Sequence, residues 1–155
     1  RHALLLSGNT RMSDKPSRPQ REEYGYLCPV DSRWSDNDIY GHINNVVYYS
    51  YFDSTINRYL VDEGGLDIHE GEHIAYVVSS GCDYLEAAAY PESLVAGMKV
   101  DKLGNSSVRY GLALFGSEGP AKATGFVVHV FVNRATGRPV AIPDALREAL
   151  ARLAQ

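Results

Sequence analysis

The stretch WSDNDIYGHINNVVYY, from Trp34 to Tyr49, places short polar side chains directly before an apolar and aromatic run. A carboxylate that lies just before a helix can act as a general base toward water, or can attack an electrophilic carbonyl carbon itself. The amides of the first helical turn, with about half a positive charge from the helix dipole, can then hold the developing oxyanion. The stretch therefore contains the groups needed for acyl-transfer chemistry at a helix start.

The same side chains also have structural interpretations. Each of four residues could be a turn or cap residue, namely Asp36, Asp38, Asn44 and Asn45. Asp36, Asp38 and His42 could also serve as ligands of a hard metal ion. No further histidine or carboxylate partner lies nearby in the sequence, so a metal site is not predicted.

The segment HEGEH, residues 69–73, matches the HExxH zinc motif in its letters. That motif requires a helix, which brings both histidines onto one face. Gly71 lies inside the segment, and Gly64 and Gly65 already end the preceding helical pattern. We therefore predict a loop that leads into a strand, without zinc. His129, inside the apolar FVVHVFV, is predicted to be a core or interface histidine.

The elements that must position these residues follow from hydrophobic spacing. Apolar and aromatic residues recur at three- and four-residue intervals over Asn45 to Glu63, which predicts one long helix. A strand precedes it, near residues 25–34. Four strand-like segments and a short helix follow it, at residues 73–85, 93–103, 106–115, 125–133 and 142–155.

This order of elements predicts an α+β fold. Short links between consecutive strands favour antiparallel pairing, and one amphipathic helix can cover one face of such a sheet. A curved antiparallel sheet wrapped around a long central helix, the hotdog fold, fits the order well. A cystatin-like fold, in which the helix precedes the sheet, is the structural alternative.

The segment SRWSDNDIYGHINNVVYYSYFDSTINRYL resembles the signature of hotdog-fold acyl-CoA thioesterases of the 4-hydroxybenzoyl-CoA thioesterase type. It is most similar to the proteobacterial branch with an Asp-x-Tyr-Gly-His-x-Asn-Asn element, and the similarity covers about residues 24–135. The resemblance implies that Asp38 is the catalytic carboxylate and that the backbone amide of Asn45 polarises the thioester carbonyl. Gly41 would then allow close approach of the ligand. His42 would border the pocket or form a hydrogen bond near Asp38, and a purely structural contact is the alternative.

The resemblance also implies the reaction and the assembly. An acyl-CoA substrate would be hydrolysed to a free acid and CoA, without a metal or an organic cofactor. The active site of hotdog proteins lies at a dimer interface, so a homodimer or homotetramer is expected. Asp53, on the predicted helix, is the second candidate carboxylate, because another hotdog branch uses an acidic residue from that helix.

Substrate contacts are expected at two places. Among the aromatic residues of the helix, which are mostly core, Tyr48 is the candidate for lining the acyl pocket. The phosphates of CoA need local donors in an acidic chain, and the family places CoA contacts near the turn after the second of the four strands. The candidates there are Lys102, Asn105, Ser106 and Ser107, flanked by Lys99 and Arg109. The alternative is a polar hairpin turn with ordinary surface bases.

The composition of the chain argues against several classes of partner and location. A formal net charge of −4 gives no general attraction to nucleic acid or to an anionic membrane. No apolar run approaches the ~18 residues that span a bilayer. The two cysteines, Cys28 and Cys82, are interpreted as reduced thiols of a cytoplasmic protein. Residues 1–23 are predicted to be a flexible N-terminal tail, and residues 24–155 a single hotdog thioesterase domain.

Two other functions remain open from the sequence. A hotdog hydratase or dehydratase acting on acyl thioesters would pair an acid with a histidine, which Asp38 and His42 could supply. The sequence lacks the Asn-Pro-x-His element of that branch. A non-catalytic acyl-CoA-binding protein could keep the fold and use its pocket for binding alone.

Overall fold

The computed structural model, which describes residues 18–154, contains five antiparallel strands and two α-helices. In chain order these elements are β1 (Tyr26–Val30), α1 (Val47–Asp62), β2 (His73–Tyr84), β3 (Leu94–Leu103), β4 (Ser107–Phe115), β5 (Ala123–Asn133) and α2 (Asp144–Ala151). Two short 3-10 turns, Arg21–Glu23 and Trp34–Asp36, precede and follow β1. The predicted α+β class and the predicted order of elements are confirmed.

The five strands form one sheet in the order β1-β3-β4-β5-β2. Residues 85–93 connect β2 to β3, and the turn at residues 104–106 connects β3 to β4. The start of β3 therefore lies at the same end of the sheet as the end of β2, and the 104–106 turn lies at the opposite end. The sheet has two edges, and β2, the longest strand, is one of them.

Helix α1 packs against the sheet through side chains at three- and four-residue spacing. Phe52, Ile56 and Leu60 are completely buried in the main core cluster, and each contributes about 1.5–3 kcal/mol by leaving water. Gly125 on β5 faces the helix, and a Cβ there would come within 2.9 Å of the Phe52 ring. Glycine at that position lets the helix approach the sheet closely.

The ends of α1 differ slightly from the predicted ones. The predicted start at Asn45 is two residues early, because residues 44–46 form a turn before the helix. The Asn44 Oδ1 accepts a hydrogen bond from the Val46 amide at 3.1 Å, and the Asn44 carbonyl accepts one from the Val47 amide at 2.9 Å. At the other end, Gly65 has a φ of +69°, and the Leu66 amide donates to the Leu60 carbonyl at 3.0 Å. This left-handed glycine stops the helix as predicted.

The segment before β1 is tied to the sheet. The Arg18 guanidinium donates to the Ala121 carbonyl at 2.9 Å, and Arg21 lies 5.0 Å above the ring of Phe115. The predicted boundary at residue 24 therefore falls inside the packed part of the chain. The contacts use arginine side chains and backbone carbonyls rather than an apolar pattern, so the sequence did not reveal them. Residues 1–17 of the predicted tail lie outside the described residues.

Helix α2 closes the core at the end of the sheet that carries the 104–106 turn. Leu146 and Leu150 are buried, and a Cβ at Gly64 would collide with the Leu146 side chain. Between residues 18 and 154, no helix has both the length and the apolar composition needed to cross a bilayer.

Candidate active site

The loop between the 3-10 turn Trp34–Asp36 and α1 folds back on itself around Asp38. The Asp38 amide donates to the His42 carbonyl at 2.8 Å, and the Gly41 amide donates to the Asp38 carbonyl at 3.0 Å. Gly41 has a φ of +81°, which a side chain would make costly. The turn thus has its own structural need for glycine, in addition to the close approach predicted from the sequence.

The Asp38 side chain is half-buried and borders a cleft of about 500 Å³. Its Oδ1 accepts a hydrogen bond from the Tyr40 amide at 2.8 Å, which fixes the carboxylate in the turn. Within residues 18–154, no protein donor contacts Oδ2. The carboxylate is therefore held in place with one oxygen left for a ligand or a water molecule. The cleft is lined by Asp38, His42, Ile43, Asn44, Asn45, Tyr48, Tyr84, Leu85, Glu86 and Ala87.

Asn45 also lines this cleft, just before α1. The backbone amides on either side of it already donate hydrogen bonds. The Asn44 amide donates to the Asp36 carbonyl at 2.9 Å, and the Val46 amide donates to the Asn44 side chain. No acceptor among residues 18–154 takes the Asn45 N–H. This amide is available to a carbonyl oxygen in the cleft, where the helix dipole favours negative charge.

The Asn45 carbonyl is held from the other side of the cleft. It accepts a hydrogen bond from the Tyr84 hydroxyl, at the end of β2, at 2.9 Å. The Tyr84 ring also packs edge-on against Tyr48, with the ring centroids 5.0 Å apart. Burial raises the pKa of Tyr84, so the hydroxyl stays a donor. Tyr84 thereby fixes the peptide unit that follows Asn45 and forms a wall of the cleft.

Asp36, two residues before Asp38, is buried, and both oxygens of its carboxylate contact protein donors. Its Oδ2 accepts hydrogen bonds from the Tyr51 hydroxyl at 2.7 Å and from the Arg33 amide at 2.9 Å, and the Arg33 guanidinium lies 3.3 Å from Oδ1. Burial opposes ionisation, but the hydrogen bonds from Tyr51 and Arg33 outweigh it. They hold the pKa of the Asp36 carboxyl below its usual range. Asp36 therefore has a structural role, which was one of the interpretations open from the sequence.

A second hollow, of about 480 Å³, borders Asp38 on the side away from α1. Trp34 lies there with its side chain 76% exposed. Its ring packs edge-on against Tyr90 at a centroid distance of 6.3 Å. The Tyr90 amide donates to the Asn37 side chain at 3.1 Å. The residues around Asp38 are thus connected to the segment between β2 and β3.

Some of the predicted site residues meet in the cleft and others do not. Asp38, His42, Asn45 and Tyr48 all line it. The predicted CoA contacts, Lys102 and residues 105–107, lie toward the opposite end of the sheet. Lys102 is in register, through Arg109 and Val128, with Ser79, which is five residues before Tyr84 and so about 17 Å from it along the strand at ~3.3 Å per residue. There the turn is held by α2, because Arg147 donates to the carbonyls of Gly104 and Asn105. Within one chain this turn is not part of the cleft.

The remaining candidate residues lie away from the cleft. Asp53 is exposed on α1 and accepts a hydrogen bond from Asn57. His129 is buried beside Tyr110, whose hydroxyl lies 3.0 Å from its Nδ1. Burial lowers the pKa of His129 to about 4, so the ring is neutral. His73 is the first residue of β2, which confirms the predicted loop leading into a strand. Among residues 18–154, no group of three or more histidine, cysteine or acidic residues is placed to bind a metal ion.

The sequence assigned no role to the residues that form the far wall of the cleft. These are Tyr84 and the first three residues of the β2–β3 connection, Leu85, Glu86 and Ala87. The segment DYLEAAAYPESL contributes to the family resemblance, but neither spacing nor residue type singles out one position in it. Their placement depends on the strand order, which brings the end of β2 beside the start of α1.

Comparison with known proteins agrees with this architecture. Residues 32–150 match the model of the Thioesterase-like superfamily. The crystal structure of the PA5185 protein from Pseudomonas aeruginosa PAO1 is 54% identical, with a TM-score of 0.88, over 90% of this chain and 98% of that one. A Thermus thermophilus thioesterase in complex with coenzyme A and Zn is 30% identical, with a TM-score of 0.73, over 85% and 96%.

An uncharacterised Bacillus subtilis protein, YsmA, is 28% identical over 137 residues, which are 88% of this chain and 92% of YsmA. The structural relatives share one sheet and one central helix arranged as described above. They confirm the hotdog fold that the order of elements predicted, in preference to the cystatin-like alternative.

Proposed function

We propose that this chain, which belongs to the Thioesterase-like superfamily, hydrolyses an acyl-CoA thioester to a free acid and CoA. Membership of the family supports thioesterase activity in general. One observation supports the finer proposal: Asp38, whose carboxylate is held in the turn, and Asn45, whose amide has no acceptor among residues 18–154, line the same cleft. A carboxylate and an oxyanion donor are the two groups that thioester hydrolysis requires.

In the proposed reaction the thioester carbonyl oxygen accepts a hydrogen bond from the Asn45 amide. Asp38 either takes a proton from water, which adds to the carbonyl carbon, or attacks that carbon itself. In both routes the C–S bond breaks, and the CoA sulfur leaves with the electron pair and is protonated. In the second route water then hydrolyses the mixed anhydride on Asp38. Gly41 keeps the turn closed, and His42 borders the substrate.

The substrate class rests on two supports. The Thermus thermophilus relative was crystallised with coenzyme A, and Tyr48 and Tyr84 give the cleft an aromatic wall suited to an acyl chain. We also propose that the protein is cytoplasmic. This location is supported by Cys28 and Cys82, which are both free thiols.

A homodimer is part of the proposal because β2 is an unpaired edge strand with exposed apolar side chains. Tyr76, Val77 and Val78 are 49%, 52% and 59% exposed, and such an edge favours pairing with another strand. Two β2 strands related by a two-fold axis run antiparallel. Each chain's 104–106 turn would then lie at the same end of the joint sheet as the partner's cleft.

In this dimer the predicted CoA contacts could take part in substrate binding. Lys102, Asn105, Ser106 and Ser107 would approach the CoA phosphates from the partner subunit. A homotetramer would be a pair of such dimers. Light scattering after gel filtration measures the assembly, and a strictly monomeric active enzyme would remove this part of the proposal.

The central experiment is a thiol-release screen over short, medium, long and aromatic acyl-CoAs. Wild type and Asp53→Asn are expected to release CoA from the same substrates, whereas Asp38→Asn is expected to be nearly inactive. Asp53→Asn is the matched control, since it removes an exposed carboxylate from the neighbouring helix. Hydrolysis by Asp38→Asn at the wild-type rate would contradict the proposed role of Asp38.

The same screen separates the two other functions. A hydratase incubated with an enoyl-CoA would add water to the double bond and conserve the thioester, so no thiol would appear. A non-catalytic binding protein would bind acyl-CoA saturably without thiol release across the whole panel. Either result would replace the hydrolase proposal.

A further inference from the structure

The cleft wall opposite Asp38 is formed by the β2–β3 connection, residues 85–93, which has no regular secondary structure. The Ile43 amide donates to the Ala88 carbonyl at 2.8 Å, and the Tyr90 amide donates to the Asn37 side chain at 3.1 Å. Asn37 and Ile43 are the two residues that bracket the turn around Asp38. The position of the connection therefore sets the position of that turn.

Lys122, just before β5, holds the other side of the connection. Its carbonyl accepts the amides of Leu85 and Glu86 at 2.8 and 3.0 Å. Its ammonium donates to the Ala87 carbonyl at 3.2 Å and lies 3.3 Å from a carboxylate oxygen of both Glu86 and Glu92. The side chain thus contacts the connection near its beginning, at Glu86 and Ala87, and near its end, at Glu92.

The Lys122 side chain is only 11% exposed. A buried ammonium is costly unless charged and polar partners surround it, and here three acceptors do. Gly116 leaves the space for this arrangement, because a Cβ there would collide with the Glu92 carboxylate and the Lys122 side chain. A buried apolar residue at position 122 would fill the same volume and keep the backbone hydrogen bonds to Leu85 and Glu86, but it would lose the side-chain contacts to Ala87 and Glu92.

We propose that Lys122 is a positioning residue for the Asp38 turn. It lies outside the cleft lining and acts through the 85–93 connection, which carries the hydrogen bonds to Asn37 and Ile43. This inference rests on the proposed function, because the turn that Lys122 positions is the one that carries the proposed catalytic carboxylate. Loss of Lys122 should let the turn shift relative to the Asn45 amide.

The first test compares Lys122→Met with Leu146→Ala. Leu146→Ala destabilises the chain from α2, away from the cleft, so it controls for a general loss of stability. Both variants are assayed at a temperature where circular dichroism shows each of them fully folded. Lys122→Met is expected to lose about 10- to 100-fold in kcat with a smaller change in KM, since misplacing a reacting group by about 1 Å can cost that much. Leu146→Ala is expected to keep the wild-type kcat.

The second test uses milder changes in the same network. Gly116→Ala should push the Lys122–Glu92 pair apart without removing a charge, and Glu92→Gln should weaken it. Both should lower kcat in the same direction as Lys122→Met. Lys122→Met combined with Glu92→Gln should be no slower than Lys122→Met alone, because both changes disrupt one interaction. Additive losses, or a Lys122→Met enzyme with the wild-type kcat, would overturn the proposal.

Hydrogen exchange separates this proposal from the proposed function. Lys122→Met should speed amide exchange in residues 85–93 and 37–43 and leave α2 unchanged, even if no acyl-CoA in the screen is hydrolysed. An inactive wild type with this exchange pattern would refute the thioester hydrolase and keep the positioning role. Unchanged exchange in those two segments would refute the positioning role itself.

Discussion

Two aspartates of one loop, Asp36 and Asp38, lie two residues apart in opposite environments. Asp36 is 3% exposed, and its carboxylate receives hydrogen bonds from Tyr51 and Arg33. Asp38 borders an open cleft, and among residues 18–154 its carboxylate receives one hydrogen bond, from the Tyr40 amide. The first carboxylate is buried with protein donors at both oxygens, whereas the second has one oxygen without a donor from residues 18–154.

The comparison shows that one short loop contains an aspartate that stabilises the fold and an aspartate that is available to a ligand. Asp36 joins the loop to α1 through Tyr51, and its carbonyl accepts the Asn44 amide at 2.9 Å. The loop is thereby fixed at the point where the helix starts. Asp38 lies in the turn that this anchor supports, so its carboxylate can be held near the Asn45 amide without many contacts of its own. Four changes test this division of roles.

The largest effect is expected from Asp38→Asn. Loss of the general base or nucleophile should lower kcat by about 10²- to 10⁴-fold, while the midpoint of urea unfolding stays close to that of wild type. Steady-state thiol release and urea unfolding monitored by circular dichroism measure the two quantities. A large loss of stability in Asp38→Asn would show that the two carboxylates do not divide the roles as described.

Asp36→Ala should lower the stability of the fold more than it lowers kcat. It leaves the Tyr51 hydroxyl and the Arg33 amide without their acceptor in a buried site, which costs about 3 kcal/mol in the free energy of unfolding. Urea unfolding measures the loss. A variant as stable as wild type, with kcat reduced as strongly as in Asp38→Asn, would reverse the assignment of the two aspartates.

Tyr51→Phe removes one hydrogen bond and keeps the ring. Because the bond is buried and its acceptor is charged, we expect a loss of about 1.5–3 kcal/mol in the free energy of unfolding. Combined with Asp36→Ala, the change should add little, since both remove the same contact. Full additivity in this double-mutant cycle would show that Tyr51 stabilises α1 independently of Asp36.

The smallest effect concerns acid stability. The pKa of Asp36 is lowered in the folded state from its ordinary value of 3.8. A carboxyl with a lowered folded pKa contributes stability that is fully present above the unfolded pKa and is lost as pH falls through the folded pKa. The stability advantage of wild type over Asp36→Asn should therefore be constant from about pH 7 to pH 5 and shrink at about pH 3. Urea unfolding at these pH values measures it, and an advantage that grows in acid would contradict the assigned shift.

The sequence predicted the elements more fully than the site. Hydrophobic spacing gave the order of strands and helices, and the motif gave Asp38, His42, Asn45 and Tyr48, which meet in the cleft. These residues are close together in the chain, so local structure is enough to gather them. The start of α1 was misplaced by two residues because the Asn44 side chain and carbonyl hold residues 44–46 in a turn before the helix.

The parts of the site that come from distant segments were not predictable in the same way. Tyr84 and Lys122 act through contacts that arise only when β2 and β5 pair at one end of the sheet. The turn at 104–106 has suitable residue types but lies at the other end. Residue type indicates what a side chain can bind, whereas strand order decides which side chains share one cleft.

Trp34 gives the molecule a built-in optical reporter. It is the single tryptophan of the chain, and its exposed indole lies beside Tyr90 and borders the hollow next to Asp38. Selectively excited fluorescence therefore comes from one point beside the turn that carries Asp38. Ligand binding there, or displacement of the 85–93 connection that carries Tyr90, should change the emission without any added label. The same signal can be followed in a stopped-flow instrument during a single turnover.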